Sequence, residues 1–157
     1  MITYKKATAG DADNLARLRV EFLCEANGAM PAETMQRLAE NNLAYIKSAL
    51  EDGSFLAYLA LDAGQIIATS GLAMFTIPPN MSCPEGKLGY LLNMYTFREY
   101  RRQGIATKLL ELILGEARRL GCEKVLLEAT DMGRPVYEKF GFHDPGSLMS
   151  YYLNRYL

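Results

Sequence analysis

The chain has 157 residues, half of them hydrophobic and 22% charged, with a formal net charge of −1. That balance suits one soluble globular domain over residues 1–157 and gives nucleic acid or an anionic membrane no global field to follow, so any anion site has to be local. Three scattered cysteines (Cys24, Cys83, Cys122) and one histidine (His143) form no metal-ligand spacing and no disulfide framework. Free thiols in a reducing cytoplasm are expected, and no N-terminal stretch or apolar run has the make-up of a secretion signal or a membrane span.

In chain order, "MITYKKA" alternates apolar and polar residues and predicts a first strand. Thr8 or Asp11 can cap the helix that follows, in which Leu15, Leu18, Phe22 and Leu23 recur at helical spacing. A second helix runs from Pro31, in its first turn, to Gly53, with Met35, Leu38, Leu43 and Ile46 along one side. The period then changes. "SFLAYLALD" and "QIIATSGLAMFTI" are β-rich runs separated by "AG", which predicts an antiparallel hairpin. Residues 78–87 form a polar loop with three prolines, and "LGYLLNMYTF" is the next strand.

In "GIATKLLELILGEARRLG" the residues Ile105, Leu109, Ile113, Ala117 and Leu120 make an apolar stripe, with Lys108, Glu111, Arg118 and Arg119 opposite. "EKVLLEAT" predicts a strand, and its unbroken Val125-Leu126-Leu127 implies burial on both faces. A short helix over "GRPVYEKFG" follows, in which Arg134 is spaced to pair with Glu138, and "SLMSYYL" predicts a last strand. Tyr151, Tyr152 and Tyr156 are expected on the sheet face, in the core or at a dimer contact. The order β-α-α-β-β-β-α-β-α-β implies an α/β (α+β) fold: a mixed, mostly antiparallel sheet of six to seven strands with about four helices on both faces.

Between a strand and a helix stands "EYRRQGIATKLL", residues 99–110. The first turn of a helix leaves N–H groups without internal partners, and the helix dipole adds positive potential there. Gly104 lets a ligand approach the backbone, Ala106 keeps the next outward position small, and Arg101 and Arg102 supply charged donors. Such a turn suits a diphosphate. It lacks the GxxxxGK[ST] of a P-loop and the GxGxxG of a dinucleotide fold.

A second stretch, "TDMGRPVYEKFGF" at residues 130–142, follows a helix and a strand later. Arg101, Gly104 and Ala106, then Tyr137, Glu138, Lys139, Gly141 and Phe142, at this separation, resemble the GNAT superfamily of acetyl-CoA-dependent N-acetyltransferases. The element order from residue 2 to 154 fits that fold. The resemblance implies that the amides of Arg101, Arg102, Gln103, Gly104, Ile105, Ala106 and Thr107 hold the pyrophosphate of coenzyme A. It also implies that backbone groups of Met94, Tyr95 and Thr96 bind its pantetheine arm where this strand splays from residues 124–129. Tyr137 matches the family's tyrosine near the thioester sulfur, which protonates the leaving thiolate. Many members have Asn and Ala where this chain has Thr130 and Gly133, so Thr130 is expected to take over a cofactor contact.

The resemblance implies acetyl transfer to a primary amine of a small molecule or peptide without a metal. Glu21, Glu25 and Asn93 are candidate acceptor contacts, and a homodimer is expected. Two rivals stand beside it: an acyl-CoA-binding sensor without catalysis on the same fold, and a nucleic-acid module built on Arg98, Arg101, Arg102, Arg118 and Arg119. The near-neutral charge speaks against the second. Histidine-dependent catalysis would have to pass through His143, which stands beside a turn.

Overall fold

A computed structural model describes residues 1–153. Strands β1 (Ile2–Lys6), β2 (Phe55–Asp62), β3 (Gln65–Thr76), β4 (Lys87–Thr96) and β5 (Lys124–Leu126) form one sheet in that order. Neighbours are antiparallel except for the β4–β5 pair, which is parallel. The β2–β3 hairpin turns on Ala63 and Gly64, with φ of 48° and 81°. A two-residue loop with positive φ matches the twist of the flanking strands, and glycine meets half of that demand without strain.

Four helices cover the sheet: α1 (Ala12–Asn27), α2 (Ala32–Asp52), α3 (Ile105–Arg119) and α4 (Arg134–Lys139). Alternation along β2 decides which lies where. Phe55, Ala57 and Leu59 pack with Leu15 and Ala16 of α1 and Ile46 and Ala49 of α2. Leu56 packs with Leu110 and Ile113 of α3, and Ala60 with Ile105 and Leu109, on the opposite face. Val136 and Tyr137 of α4, with Phe140 just past its end, join the α3 side. Of the stripe predicted for α3, Ile105, Leu109, Ile113 and Ala117 are all 2% exposed or less, while Leu120, at the C-cap, is half-buried. Each large side chain so buried contributes roughly 2 kcal/mol, which fixes the rotation of α3 and hence the direction of its N-terminus.

At the first turn the two candidate caps bond each other. The Asp11 carboxylate accepts the Thr8 N–H at 2.9 Å and the Thr8 hydroxyl at 3.1 Å, and pairs with Lys5 at 2.8 Å. His143 is exposed on the surface, and Arg134 stands 4.0 Å from Glu138 at the expected i+4 spacing.

Three expectations are corrected. The sheet has five strands among the described residues, not six or seven. The strand expected over "EKVLLEAT" contracts to Lys124–Leu126, and Val125, Leu126 and Leu127 are half-buried rather than covered on both faces, because no described strand lies outside β5. Residues 147–153 form no strand, and Tyr151 and Tyr152 are 89% and 74% exposed instead of lying in the core or on the sheet. Apolar composition supplies only a propensity; a strand needs a ladder partner, and β5 offers three residues of edge. Tyr156 lies outside the described residues.

Candidate active site

β4 runs into a 3-10 turn over Arg98–Tyr100, then Arg102 and Gly104 adopt φ of 60° and 79° before α3 begins at Ile105. That reversal turns the first amides of α3 outward. Gly104 is the N-cap residue, and no side chain caps the helix. Arg102, Gln103, Gly104 and Thr107 are exposed, Ala106 is half-buried, and no atom lies within 4 Å of where a Gly104 Cβ would stand. Ile105, 2% exposed, anchors the turn from below. An open helix terminus with unpaired N–H groups and a positive dipole end remains.

Arg101 takes a different direction from its neighbours. Its Nε donates to the Thr96 carbonyl at 2.8 Å, and its Nη2 donates to Glu25 Oε1 at 2.7 Å. The guanidinium lies 5.8 Å from the Tyr95 ring centroid, and Nη1 reaches Met132 Sδ at 3.9 Å. The side chain thus clamps the end of α1 to the strand–helix turn and touches the loop before α4, while its backbone stays in the exposed turn. Gln103 Nε2 donates to the Glu99 carbonyl at 3.2 Å.

β4 carries a bulge. Thr69 pairs with Tyr95 and Gly71 with Leu92, so Asn93 and Met94 together oppose Ser70. Asn93 sits at φ 54°, a conformation asparagine tolerates better than most residues. The Thr69 and Ser70 hydroxyls and both polar atoms of the Asn93 side chain are buried without a hydrogen-bond partner among the described residues. Orphaned polar atoms at this depth are costly unless something else meets them. On its other side β4 pairs with β5 only from Leu88↔Lys124 to Tyr90↔Leu126. Beyond that point the strands part, and the edge of β4 at Met94, Tyr95 and Thr96 faces the gap.

Tyr137, on α4, packs against the same apolar cluster as Leu91 and Met94. Its ring meets Phe142 edge-on, with centroids 5.9 Å apart. Burial pushes its phenol above the ordinary value, so the group stays protonated at neutral pH. Gly133 makes room for it: a Cβ there would stand 3.1 Å from Tyr137 Cε2 and 3.3 Å from Thr130 Oγ1. Thr130 Oγ1 accepts the Gly133 N–H at 3.2 Å and so shapes the turn entering α4.

The acidic candidates are engaged. Glu21 pairs with Arg17. Glu25 binds Arg101 and accepts the Tyr95 hydroxyl at 3.1 Å. Burial alone would raise the Glu25 pKa, but these hydrogen bonds and the nearby Arg98 outweigh it and hold the carboxylate below its usual range. Sequence reasoning passed over two residues on this face, Arg19 and Glu128. Arg19 follows Leu15 by four and precedes Phe22 by three, so a charge on the apolar stripe of α1 was the available signal. An open groove of about 460 Å³ lies elsewhere, between α1 and α2, lined in part by Ala16, Val20, Met35, Ala39 and Leu43. Asp13, Arg17, Glu21, Gln36 and Glu40 also line it, and it shares only Glu21 with the predicted site. Among the described residues there is no cluster suited to a metal, and no helix is long and apolar enough to cross a membrane.

The sequence profile described as "Acetyltransferase (GNAT) family" matches residues 18–142, which include both the α3 turn and Tyr137. The chain belongs to the acetyltransferase (GNAT) family. This member is similar to a predicted acetyltransferase from Clostridium acetobutylicum, crystallised with acetyl-CoA. The two are 32% identical with a TM-score of 0.90, over 98% of this chain and 97% of that one. A GCN5-related N-acetyltransferase from Ralstonia eutropha JMP134 is 27% identical with a TM-score of 0.88, over 98% of this chain and 99% of that one. N-alpha-acetyltransferase 30 of Schizosaccharomyces pombe is 36% identical over 69 residues, 42% of this chain and 46% of that protein. The chain therefore matches about half the length of that curated relative.

Proposed function

We propose that this family member transfers an acetyl group from acetyl-CoA directly to a primary amine. The observation that carries this reading is the meeting of two distant motifs. The uncapped α3 terminus follows the parted strands, Arg101 contacts Met132 before α4, and Tyr137 and Met94 of the β4 bulge pack against the same buried cluster. The site fits acetyl-CoA on this chain's own features. The unpaired amides at the start of α3 suit a pyrophosphate, the edge of β4 beyond its pairing with β5, where Arg101 takes only the Thr96 carbonyl, suits an extended amide chain, and the orphaned Asn93, Thr69 and Ser70 groups await polar partners.

When bound, acetyl-CoA supplies an activated acetyl thioester. The bulge at Asn93 and Met94 releases backbone groups from the ladder, where an N–H can polarise a carbonyl. The amine nitrogen forms the new C–N bond as the C–S bond breaks. Tyr137, held protonated, gives its proton to the departing sulfur, and the amine gives up one proton. Thr130 supports this arrangement through the α4 turn. Coenzyme A binding by calorimetry, followed by free-thiol release across an amine panel, tests the proposal. Absence of coenzyme A binding would sink it, and tight binding with no transfer to any amine would favour a sensor on the same fold.

We also propose a cytoplasmic location, supported by three free thiols, and a homodimer, supported by the exposed apolar Leu148, Met149 and Leu153. Sedimentation at several concentrations tests the dimer.

A further inference from the structure

On the α1 side of the strand gap, α1 itself contributes a cation that has no ion pair among the described residues. Glu21 and Glu25 are tied to Arg17 and Arg101. Arg19 is half-buried, yet among the described residues no carboxylate reaches ion-pair distance of it. Its guanidinium leans on the Phe22 ring, 5.8 Å from the centroid. It sits in the field of Tyr90, the last residue of β4 paired with β5, and of Glu128, two residues beyond the last paired residue of β5. Arg19 therefore overlooks the place where the two strands part. Contact with one aromatic face returns less than a half-buried guanidinium loses in hydration, and its planar fork of donors suits a carboxylate. Desolvation lowers its pKa, and the fields of Tyr90 and Glu128 only partly offset that. Phe22 and Tyr95, ring centroids 6.2 Å apart, give the same wall an apolar surface. Beside them the Tyr90 phenol lies in the field of the Glu128 carboxylate, which puts a proton acceptor in the cluster.

We infer that Arg19 binds a carboxylate carried by the amine acceptor, so that the substrate class is a zwitterionic amine, such as an α-amino acid, rather than a simple cation. This rests on the acetyl-transfer reading above. In it, the carboxylate docks on Arg19 while the amine faces the Tyr90–Glu128 pair, which receives the proton lost as the C–N bond forms.

Matched acceptors decide the matter: leucine, leucinamide and isoamylamine, with thiol release as the readout. The two dipeptide amides Ala-Asp-NH₂ and Ala-Asn-NH₂ separate a peptide side-chain carboxylate from a free α-carboxylate. The wild type should favour the carboxylate-bearing member by at least tenfold in kcat/KM. Arg19→Ala should lower kcat/KM for that member roughly ten- to hundredfold while leaving leucinamide, coenzyme A affinity and Tm unchanged. Arg19→Lys should recover part of the loss, and Arg19→Glu should reverse the preference. Equal use of acid and amide, or an unchanged preference in Arg19→Ala, overturns the inference and leaves acetyl transfer standing. If no amine releases thiol, the transfer reading fails instead. Calorimetric binding of N-acetylleucine against N-acetylleucinamide then decides the anion site, and no Arg19-dependent difference overturns that too.

Discussion

Replacing Tyr137 by Phe deletes one oxygen and leaves the ring that the structure packs. The edge contact with Phe142, at 5.9 Å between centroids, and the close approach to Gly133 both involve ring carbons. Stability should therefore stay within about 0.5 kcal/mol, a Tm change of about 2 °C or less for a chain of this length. Coenzyme A affinity should hold as well, because the amides at residues 102–107 are untouched. The loss should fall on kcat. Without a positioned acid the sulfur leaves as thiolate or waits for water, and such an acid is worth roughly 10²- to 10⁴-fold, or about 3–5 kcal/mol of barrier. The pH profile adds a second signature. Burial raises the Tyr137 pKa, so the proton-donating form persists until above about 10. Wild-type kcat should fall on that alkaline limb, whatever acid limb the amine and its proton acceptor impose, and the Phe variant should lack the alkaline limb. Steady-state thiol release, calorimetry with coenzyme A and thermal melts supply the three readings. A kcat reduced less than threefold refutes the acid role. So does a larger loss accompanied by a tenfold weaker coenzyme A complex, which would make Tyr137 a cofactor contact.

Gly104→Val should cost about 1–2 kcal/mol, because the backbone there is left-handed at φ 79° while space around the new side chain is open. Coenzyme A affinity should fall at least tenfold. Gly115→Ala, also in open space but inside α3, should raise stability by about 0.5–1 kcal/mol and leave affinity alone. Glu25→Gln should lower stability by about 1–2 kcal/mol, read by urea unfolding, because it leaves the half-buried Arg101 guanidinium without its carboxylate. Acceptor KM should move less than threefold; a tenfold rise at unchanged stability would place Glu25 in the acceptor site. Glu116, bonded by Arg119 and Lys6, titrates at about 2 in the folded chain. Its folded pKa is depressed, so its contribution is complete above the unfolded carboxylate value near about 4.3 and disappears as pH falls toward 2. Glu116→Gln should be less stable by about 1 kcal/mol at pH 6 and should converge with the wild type near the acid end. A gap that widens on acidification would contradict that pairing.

What the sequence discloses here follows the range of the interactions. The α3 stripe and the open turn before it depend on residues within a few positions of one another, so spacing alone exposed them. The strand gap depends on Asn93 and Met94 facing Ser70, more than twenty residues away, and no local pattern marks such a bulge. The missing last strand reflects the same limit, since its apolar residues lack a described ladder. Arg101 shows the difference most sharply. Its place beside Gly104 made a phosphate contact the natural expectation, but Glu25, 76 residues earlier, draws its side chain back across the turn. The consequence extends to the acceptor. A row of glutamates along α1 reads as a surface for cations as long as each is counted free. Folding pairs Glu21 and Glu25 with arginines and leaves Arg19 without a carboxylate at ion-pair distance among the described residues. On the proposed reading, the cation that α1 leaves for an acceptor is Arg19, and an amine bearing its own carboxylate would use it.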